Sequence, residues 1–349
     1  MSSPLRHPPR LRDIAEKLGI STMTVSLALR AHPSISKARI AEVRQAAREM
    51  GYRPNAMASA LAHRKWTLAR RAATTTLAWL NCWDDPRDLR RQREFDLYWK
   101  GAAAAAGDLG YHLKEVVWSG EMSHARLRKI LLARNIPGIV IPPHPTPPDW
   151  ASWDFAPFSL VRIGHSVSNL PVHTITVDQV QCSLLAFRET QKRGYRRIGL
   201  VISDWAKRNT LFEAGFLFGQ SQTAVKAVIP ILHLEDTSGT PDARDISRLE
   251  PWIQRFRPDA IITDVCNLGR MLASSKVGVP EDIGLTMLST TGGAQSGIDQ
   301  NSFVVGKMAV EILVSQIQRG ERGIPPGSHT HLVTPMWLNG RTLPDRMAA

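Results

Sequence analysis

The sequence predicts a multi-domain chain in which a small all-α head precedes a larger α/β body of two lobes. Three observations support this prediction. The 349 residues exceed what one compact core usually holds. Apolar residues recur at helical spacing between Leu11 and Met50. From residue 76 onward, short apolar runs alternate with helix-like stretches, a pattern typical of parallel sheets with right-handed crossovers.

Positive charge is concentrated in the head. Residues 1–71 carry 14 Lys/Arg against 4 Asp/Glu, whereas the remaining 278 residues carry 30 against 27, so the head holds ten of the 13 net charges. A short basic segment on a near-neutral body is typical of a protein that binds a polyanion, because each phosphate contact releases counterions. The alternative, a solubilising basic tail, agrees less well with the apolar helical spacing of the same residues.

The cysteines and the N-terminus argue against several other classes of protein. Cys82, Cys182 and Cys266 are odd in number and lack the spacing of a zinc site. We therefore expect reduced core cysteines, with no metal and no cofactor. No run approaches the ~18 apolar residues of a membrane helix, and residues 1–10 lack the apolar run of a signal peptide. These features predict a cytoplasmic protein with no membrane partner.

Three short helices are predicted in the head. The first begins near Leu11 and ends at Gly19, which tolerates a left-handed turn. Ser21 can cap a second helix, and Ser36 can cap a third that stops at Gly51. Two helices joined by such a turn form a helix-turn-helix unit, whose second helix lies in the DNA major groove. The side chains expected to face inward are Leu11, Ile14, Ala15, Leu18, Ile20, Val25, Ala28, Leu29, Ile40, Val43, Ala47 and Met50.

Five short motifs follow one another in the head: DIA at 13–15, LGIS at 18–21, TVS at 24–26, GYRPN at 51–55 and A-x-x-L at 58–61. With these motifs the segment strongly resembles the lactose/galactose-repressor family of bacterial transcription regulators. The resemblance implies a helix-turn-helix head at 1–53, a hinge helix and linker at 54–75, and a periplasmic-binding-protein-like effector-binding and dimerisation body at 76–349. It also implies a homodimer on a near-palindromic operator, most often a repressor, which lies at the nucleoid when bound to DNA.

The segment 56–62 contains good helix formers and no charge, but it is too short to be helical alone in water. In the family that the head resembles, this hinge helix forms on DNA and pushes a leucine into a minor-groove step, here Leu61. Such apolar wedges unstack bases and kink the duplex. A plain amphipathic linker is the alternative.

The resemblance also places the DNA contacts. Thr22, Met23 and Leu27 occupy positions that touch base edges in family members, while hydroxyl groups suit phosphate oxygens. Leu27 departs from the family pattern, where arginine is commonest, so we expect Met23 and Leu27 to contact thymine methyl groups instead. Alternatively, Leu27 folds back onto the head's own core. The complete predicted set is Ser21, Thr22, Met23, Thr24, Ser26, Leu27, Arg30, Ser36, Tyr52, Asn55, Ala58 and Leu61.

Eight strands and seven helices are predicted in the body. The strands are expected at 77–82, 113–118, 138–142, 159–163, 198–203, 226–231, 260–263 and 283–288. The helices are expected at 98–109, 123–133, 179–193, 209–221, 246–256, 268–274 and 304–318. Eight strands and seven helices are more than one doubly wound sheet usually contains, so we expect two lobes with a cleft between them.

The resemblance of the body is looser than that of the head. It rests on Val177-Asp178, on residues 194–199 and 279–284, and on Gly306 with residues 309–317. It implies discontinuous lobes, for which we expect crossings near Ser203, Ser289 and Gly320. Lobe 1 is then predicted at about 76–202 and 289–320, and lobe 2 at about 203–288 and 321–345.

A small-molecule effector is expected in the cleft, but its chemistry is not that of a typical sugar. Sugar-sensing relatives use an arginine and an aspartate; here Phe212 and Ser289-Thr290 stand in their places, so that hydroxyl clamp is missing. The effector is then more apolar, or the cleft is vestigial. The candidate contacts are Asn81, Trp83, His165, Asp178, Trp205, Phe212, Asp264 and Gln300, with Asp84, His144 and Asp204 as further residues after strands.

Two other classes of protein remain as competing hypotheses. A solute-binding protein could use the same two-lobed body, but it would need an export signal and no helix-turn-helix. An enzyme is not indicated, because GxSxG, P-loop, HExxH and post-strand GxGxxG motifs are absent. Binding to duplex DNA that weakens with salt separates the regulator from both alternatives.

Overall fold

A computed structural model describes residues 9–29, 35–52, 75–118, 120–204, 210–223, 228–235 and 243–347. Residues 54–74 of the predicted hinge and linker segment 54–75 lie outside these ranges, as do Arg30 and Trp205, whereas Thr75 is described as the first residue of a strand. Within the part of the chain that is described, no helix is both long and apolar enough to cross a bilayer.

Three helices form the head, as predicted: α1 (Leu11–Leu18), α2 (Thr22–Leu29) and α3 (Lys37–Glu49). Gly19 ends α1 in the left-handed region at φ 63°, where a side chain would add strain. Ser36 caps α3 by accepting a hydrogen bond from the Arg39 backbone N–H. The apolar residues predicted to face inward all lie in the head core or pack against it.

The body contains two six-stranded sheets with the same strand order. Sheet A runs β11-β5-β4-β3-β1-β2 and sheet B runs β12-β10-β9-β8-β6-β7. The strands of sheet A are β1 (Thr75–Asn81), β2 (Tyr111–Val117), β3 (Gly138–Ile141), β4 (Ser159–Ile163), β5 (His173–Val177) and β11 (Thr330–Val333). Those of sheet B are β6 (Ile198–Ser203), β7 (Leu232–Leu234), β8 (Ala260–Thr263), β9 (Gly284–Met287), β10 (Ser296–Asp299) and β12 (Met336–Leu338). All described pairs are parallel except β10 with β12, so the prediction of parallel sheets is confirmed, with one antiparallel pair at the edge of sheet B.

Helices cover both faces of each sheet. On sheet A these are α4 (Pro86–Arg91), α5 (Arg93–Asp108), α6 (His124–Ala133) and α11 (Ser302–Arg319). On sheet B they are α7 (Gln179–Lys192), α8 (Leu211–Ser221), α9 (Ala243–Phe256) and α10 (Leu268–Ser274). Each sheet therefore lies between two apolar cores, as a doubly wound fold requires.

The chain crosses between the lobes at other places than the sequence predicted. It leaves sheet A after β5 and enters lobe 2 through α7, returns after β10 through α11, and crosses last between β11 and β12. The predicted crossings near Ser203, Ser289 and Gly320 differ because β5, β10, β11 and β12 were not predicted as strands. The expected strand at 226–231 is likewise displaced to β7.

In each lobe, the helix that follows the crossing from the other lobe packs closely against a second helix, and the contact is made at glycine. In lobe 1, a Cβ on Gly101 of α5 would overlap the Phe303 carbonyl oxygen of α11, and one on Gly306 would overlap the Tyr98 carbonyl oxygen. In lobe 2, a Cβ on Gly215 of α8 would overlap the Val180 carbonyl oxygen of α7. Only glycine lets these backbones approach so closely, since any side chain forces the helices apart.

We predict that Gly306→Ala lowers the free energy of unfolding by about 1–3 kcal/mol, because the added methyl group overpacks the crossing. Gly107→Ala on α5 is the matched control, since nothing lies within 4 Å of its added Cβ. That change is expected to raise stability by about 0.5–1 kcal/mol through helix propensity. Urea denaturation of both variants measures the difference, and equal effects would contradict the assigned packing.

Candidate nucleic-acid interface and inter-lobe cleft

The exposed face of α2 is built by the packing of its opposite face. Val25 and Ala28 are fully buried against α1 and α3, which fixes the rotation of the helix. Met23 then lies on the outside with 66% of its surface exposed. Leu27 is half-buried and is not among the side chains that pack against the head core, which disfavours the interpretation that it folds back inward.

The hydroxyl groups predicted to contact phosphate also hold the ends of the helices. The Ser21 Oγ accepts from the Thr24 backbone N–H at 3.0 Å and lies 2.8 Å from the Thr24 Oγ1. Thr22 is exposed, Ser26 is half-buried, and Tyr52 packs against the head core. The predicted contacts Arg30, Asn55, Ala58 and Leu61 lie outside the described residues. Of the described residues predicted to contact DNA, Ser21 to Ser26 and Leu27 lie at the start or along the length of α2, whereas Ser36 caps α3 and Tyr52 follows it.

Ion pairs within the head neutralise its acidic side chains. Glu16 pairs with Arg12, Glu42 with Arg39, and Glu49 with Lys17, at 2.7–2.8 Å. Lys17 and Glu49 join α1 to α3, and the hydrogen-bonded Lys17 lowers the pKa of Glu49. Among the described residues of the head, Arg10, Lys37, Arg44 and Arg48 form no ion pair. Such a surface attracts the phosphates of a duplex.

The cleft is positioned by the strand order of the two sheets. In both lobes the order reverses beside the first strand, between β1 and β3 and between β6 and β8. Loops that leave the carboxyl ends of these strands diverge to opposite faces, and ligands bind in the crevice outside them. The predicted effector contacts that follow β1, β4, β6 and β8 lie at these edges.

In lobe 1, the side chains beside the crevice are tied to one another. The Cys82 backbone N–H, just after β1, donates to the His144 Nε2 at 2.9 Å. Asn81 is buried and donates to the Pro86 carbonyl and the Glu115 carboxylate, while the Trp83 Nε1 donates to the Pro143 carbonyl. These bonds hold the loops after β1 and β3 together.

Lobe 2 repeats this arrangement with different residues. The Ser203 backbone N–H, at the end of β6, donates to the Asp264 Oδ1 at 2.7 Å, and the Ser203 hydroxyl bonds to the second carboxylate oxygen. Asp264 follows β8 as His144 follows β3. Both oxygens of this predicted effector contact are thus engaged within its own lobe.

The remaining effector candidates divide into structural and open positions. Asp178 caps α7, the Gln300 side chain donates to the Leu288 carbonyl, and Phe212 is 5% exposed in the core of lobe 2. Phe212 therefore lies in the core and not on the cleft surface. His165 is half-buried just after β4, with a buried Nε2 that has no hydrogen-bond partner. Asp84 and Asp204 follow β1 and β6.

A hydrogen bond links the two lobes at Ser289, one of the positions where the hydroxyl clamp of sugar-sensing relatives is missing. Ser289 follows β9, and its hydroxyl donates to the Glu94 Oε1 of α5 at 2.6 Å. This bond joins lobe 2 to lobe 1, so a change in the angle between the lobes would break it. Sequence reasoning identified Ser289 as a departure but had no signal for its partner.

Arg162 was not among the predicted site residues, although an arginine within an otherwise apolar strand is a visible signal in the sequence. Its guanidinium Nε donates to the Thr174 Oγ1 at 2.7 Å. Its Nη1 is buried and has no hydrogen-bond partner. Burial lowers the pKa of Arg162, and burial together with the nearby Arg162 charge lowers the pKa of His165.

The cysteines depart in part from the expectation. Cys82 and Cys182 are buried, and burial raises the pKa of both thiols. Cys266 is exposed at the carboxyl edge of sheet B, so the expectation of a core residue is wrong there.

Comparison with known proteins agrees with this arrangement. Residues 10–55 match a family model described as bacterial regulatory proteins, lacI family. Over 55 residues the chain is 47% identical to the HTH-type transcriptional regulator AglR of Rhizobium meliloti (strain 1021). That segment spans 16% of this chain and 15% of the length of AglR.

Two solved structures share the fold of the whole chain. The transcriptional regulator CelR in complex with cellobiose gives a TM-score of 0.54 at 17% identity, covering 96% of this chain and 99% of CelR. The lac repressor dimer bound to operator and the anti-inducer ONPF gives 0.54 at 18% identity, covering 97% and 100%.

The fold and the site together define a two-lobed α/β protein that carries a helix-turn-helix head. The head, over residues 10–55, matches the lacI family of bacterial regulatory proteins, which agrees with the resemblance that its motifs indicate.

We predict that His144 makes stability depend on pH, because burial lowers its pKa from 6.5 to about 4. Above pH 6.5 the imidazole is neutral in the folded and unfolded chains. Between pH 6.5 and pH 4 only the unfolded chain takes up the proton, so the free energy of unfolding falls, by about 3 kcal/mol in all.

The measurement is urea denaturation at several pH values, for the native chain and for His144→Gln. Glutamine keeps an acceptor for the Cys82 N–H but takes up no proton, so its curve should be flatter. His112→Gln, at an exposed position of β2, is the control and should keep the native slope. Parallel curves for the native chain and His144→Gln would show that His144 does not cause the dependence.

Proposed function

We propose that the chain is a sequence-specific DNA-binding transcription regulator, and most simply a repressor. The observation that carries this proposal is the outer face of α2, where Met23 and Leu27 project from a helix rotated by its own buried side. A second helix of this kind enters the major groove, where side chains reach base edges. The lacI-family match of residues 10–55 supports the same conclusion.

The operator is proposed to be near-palindromic and the active form a homodimer. One helix-turn-helix covers only half a site, so two-fold symmetric proteins read inverted repeats. The lac repressor, whose fold this chain shares, is described as a dimer bound to operator. In this proposal the hinge segment 54–75 lies between the two heads and the bodies.

A small molecule in the cleft is proposed to change the affinity for DNA. The Glu94–Ser289 bond lies between lobes and would break or form with their closure, which supplies two states for an effector to select. Coupling between such sites is commonly ~1–3 kcal/mol. CelR, with the same fold, is described in complex with cellobiose.

Selection from a random duplex pool tests the DNA-binding proposal. The purified full-length chain should retain sequences that share an inverted repeat, and its affinity should fall steeply with salt as counterions are released. Retention of no duplex above background at low ionic strength would exclude the regulator function. Binding without sequence preference would exclude a specific operator.

We predict that Leu27→Arg changes the selected half-site at one base pair. Arginine can form two hydrogen bonds with guanine O6 and N7, a contact worth ~1–3 kcal/mol of discrimination, whereas leucine cannot. The native chain should select no guanine that depends on position 27.

The control is Leu132→Arg, which makes the same change at a 39% exposed position of α6 in the body. It should leave the selected sequence unchanged while adding the same charge. Identical half-sites for all three proteins would contradict the placement of Leu27 against base edges.

A further inference from the structure

Lobe 1 holds a positive charge that no described residue balances. Arg162 lies on β4, opposite Ile141 of β3 and Thr174 of β5. Its guanidinium forms no ion pair with any carboxylate in the described ranges, and its one hydrogen bond goes to the neutral Thr174 hydroxyl. An uncompensated charge in a half-buried position costs free energy, and chains normally pair it or replace it.

The surroundings of Arg162 make the missing counter-charge more significant. Alternation along β4 places Arg162 on the same sheet face as Leu160, which belongs to an apolar core with Val167, Leu170 and Val172. Although the residue as a whole is half-buried, its guanidinium Nη1 is buried and has no hydrogen-bond partner. A low local dielectric strengthens any interaction with an added anion.

His165 lies beside this guanidinium at the edge where ligands bind. Gly164 turns the chain at φ 73° just after β4, and its N–H donates to the Ile175 carbonyl. His165 then interacts electrostatically with Arg162, and its buried Nε2 also lacks a partner. Two nitrogen atoms without hydrogen-bond partners, the Arg162 Nη1 and the His165 Nε2, are therefore three residues apart in sequence at the carboxyl end of β4.

Among the described residues, no ion pair links Arg162 to a carboxylate of lobe 2. Both Asp264 oxygens bind Ser203, and Ser289 binds Glu94. Hydrogen bonds therefore hold the Asp264 carboxylate within lobe 2, whereas the Arg162 guanidinium in lobe 1 has no ion-pair partner among the described residues.

We propose that Arg162 and His165 form an oxyanion-binding site, so that the effector of this chain carries a carboxylate or a phosphate group. A guanidinium fork matches either group in geometry and charge. This deepens the proposed function, on which it rests, by naming the chemical class of the cleft ligand. It also explains how an effector could be held without the missing sugar clamp.

The test uses the full-length protein without DNA, so that its result is independent of operator binding. Thermal unfolding is followed in sodium phosphate, sodium acetate and sodium chloride at one ionic strength and pH. Phosphate or acetate should raise the melting temperature above that in chloride, and the stronger of the two identifies phosphate or carboxylate as the favoured group.

Arg162→Met is the decisive variant, and Arg134→Met is its control. Arg134 is exposed at the end of α6 in the same lobe, so its loss changes the net charge equally. Arg162→Met should weaken the apparent affinity for the favoured anion at least tenfold, while Arg134→Met should keep the native shift. In chloride, Arg162→Met should unfold at the same or a higher temperature, because an unpaired charge has been removed.

Three results would overturn the proposal: equal melting temperatures in all three salts, an unchanged anion shift in Arg162→Met, or marked destabilisation of that variant in chloride. The last would show that Arg162 already has an internal partner. Operator binding, measured separately, distinguishes the two proposals, since intact DNA binding with no anion effect would reject only the oxyanion site.

Discussion

In each lobe, a side chain in the loop after the third strand accepts a hydrogen bond from a backbone N–H at the end of the first strand. His144 accepts from Cys82 in lobe 1, and Asp264 accepts from Ser203 in lobe 2. At both places the strand order reverses, so adjacent loops diverge and would leave a buried N–H without a partner. These two bonds close the gap and fix the loops that line the crevice, on which the ligand chemistry of the cleft depends.

The same bonds explain why few of the cleft's polar residues are available to an effector. Asn81, Trp83 and Asp264 maintain the strand ends, and Ser289 links the lobes through Glu94. In the proposed function, specificity for an effector then depends on groups without hydrogen-bond partners, such as the Arg162 Nη1 and the His165 Nε2. Gly101 and Gly306 let α5 and α11 pack closely, and this contact holds α11, the helix through which the chain returns to lobe 1.

Much of the head could be predicted from sequence, because its local signals agree with its packing. Gly19 and the apolar periodicity of the head specify helix ends and faces without reference to distant residues. The body was harder to predict. The strand β5 was recognised only as Val177-Asp178, and β12 is three residues long, so their identity depends on pairing with strands far along the chain. Sequence could draw attention to Arg162 and His144 by their positions in or after a strand, but it could not identify their hydrogen-bond partners, which are set by tertiary packing.

The most direct measurement of the central claim is to map the genomic sites that the chain occupies in living cells by crosslinking and sequencing. If α2 reads base edges from a basic head, discrete sites will share one inverted repeat, and the sites will disappear when the head is removed. Signal spread evenly along the genome, or no enrichment over a strain that lacks the protein, would contradict the account.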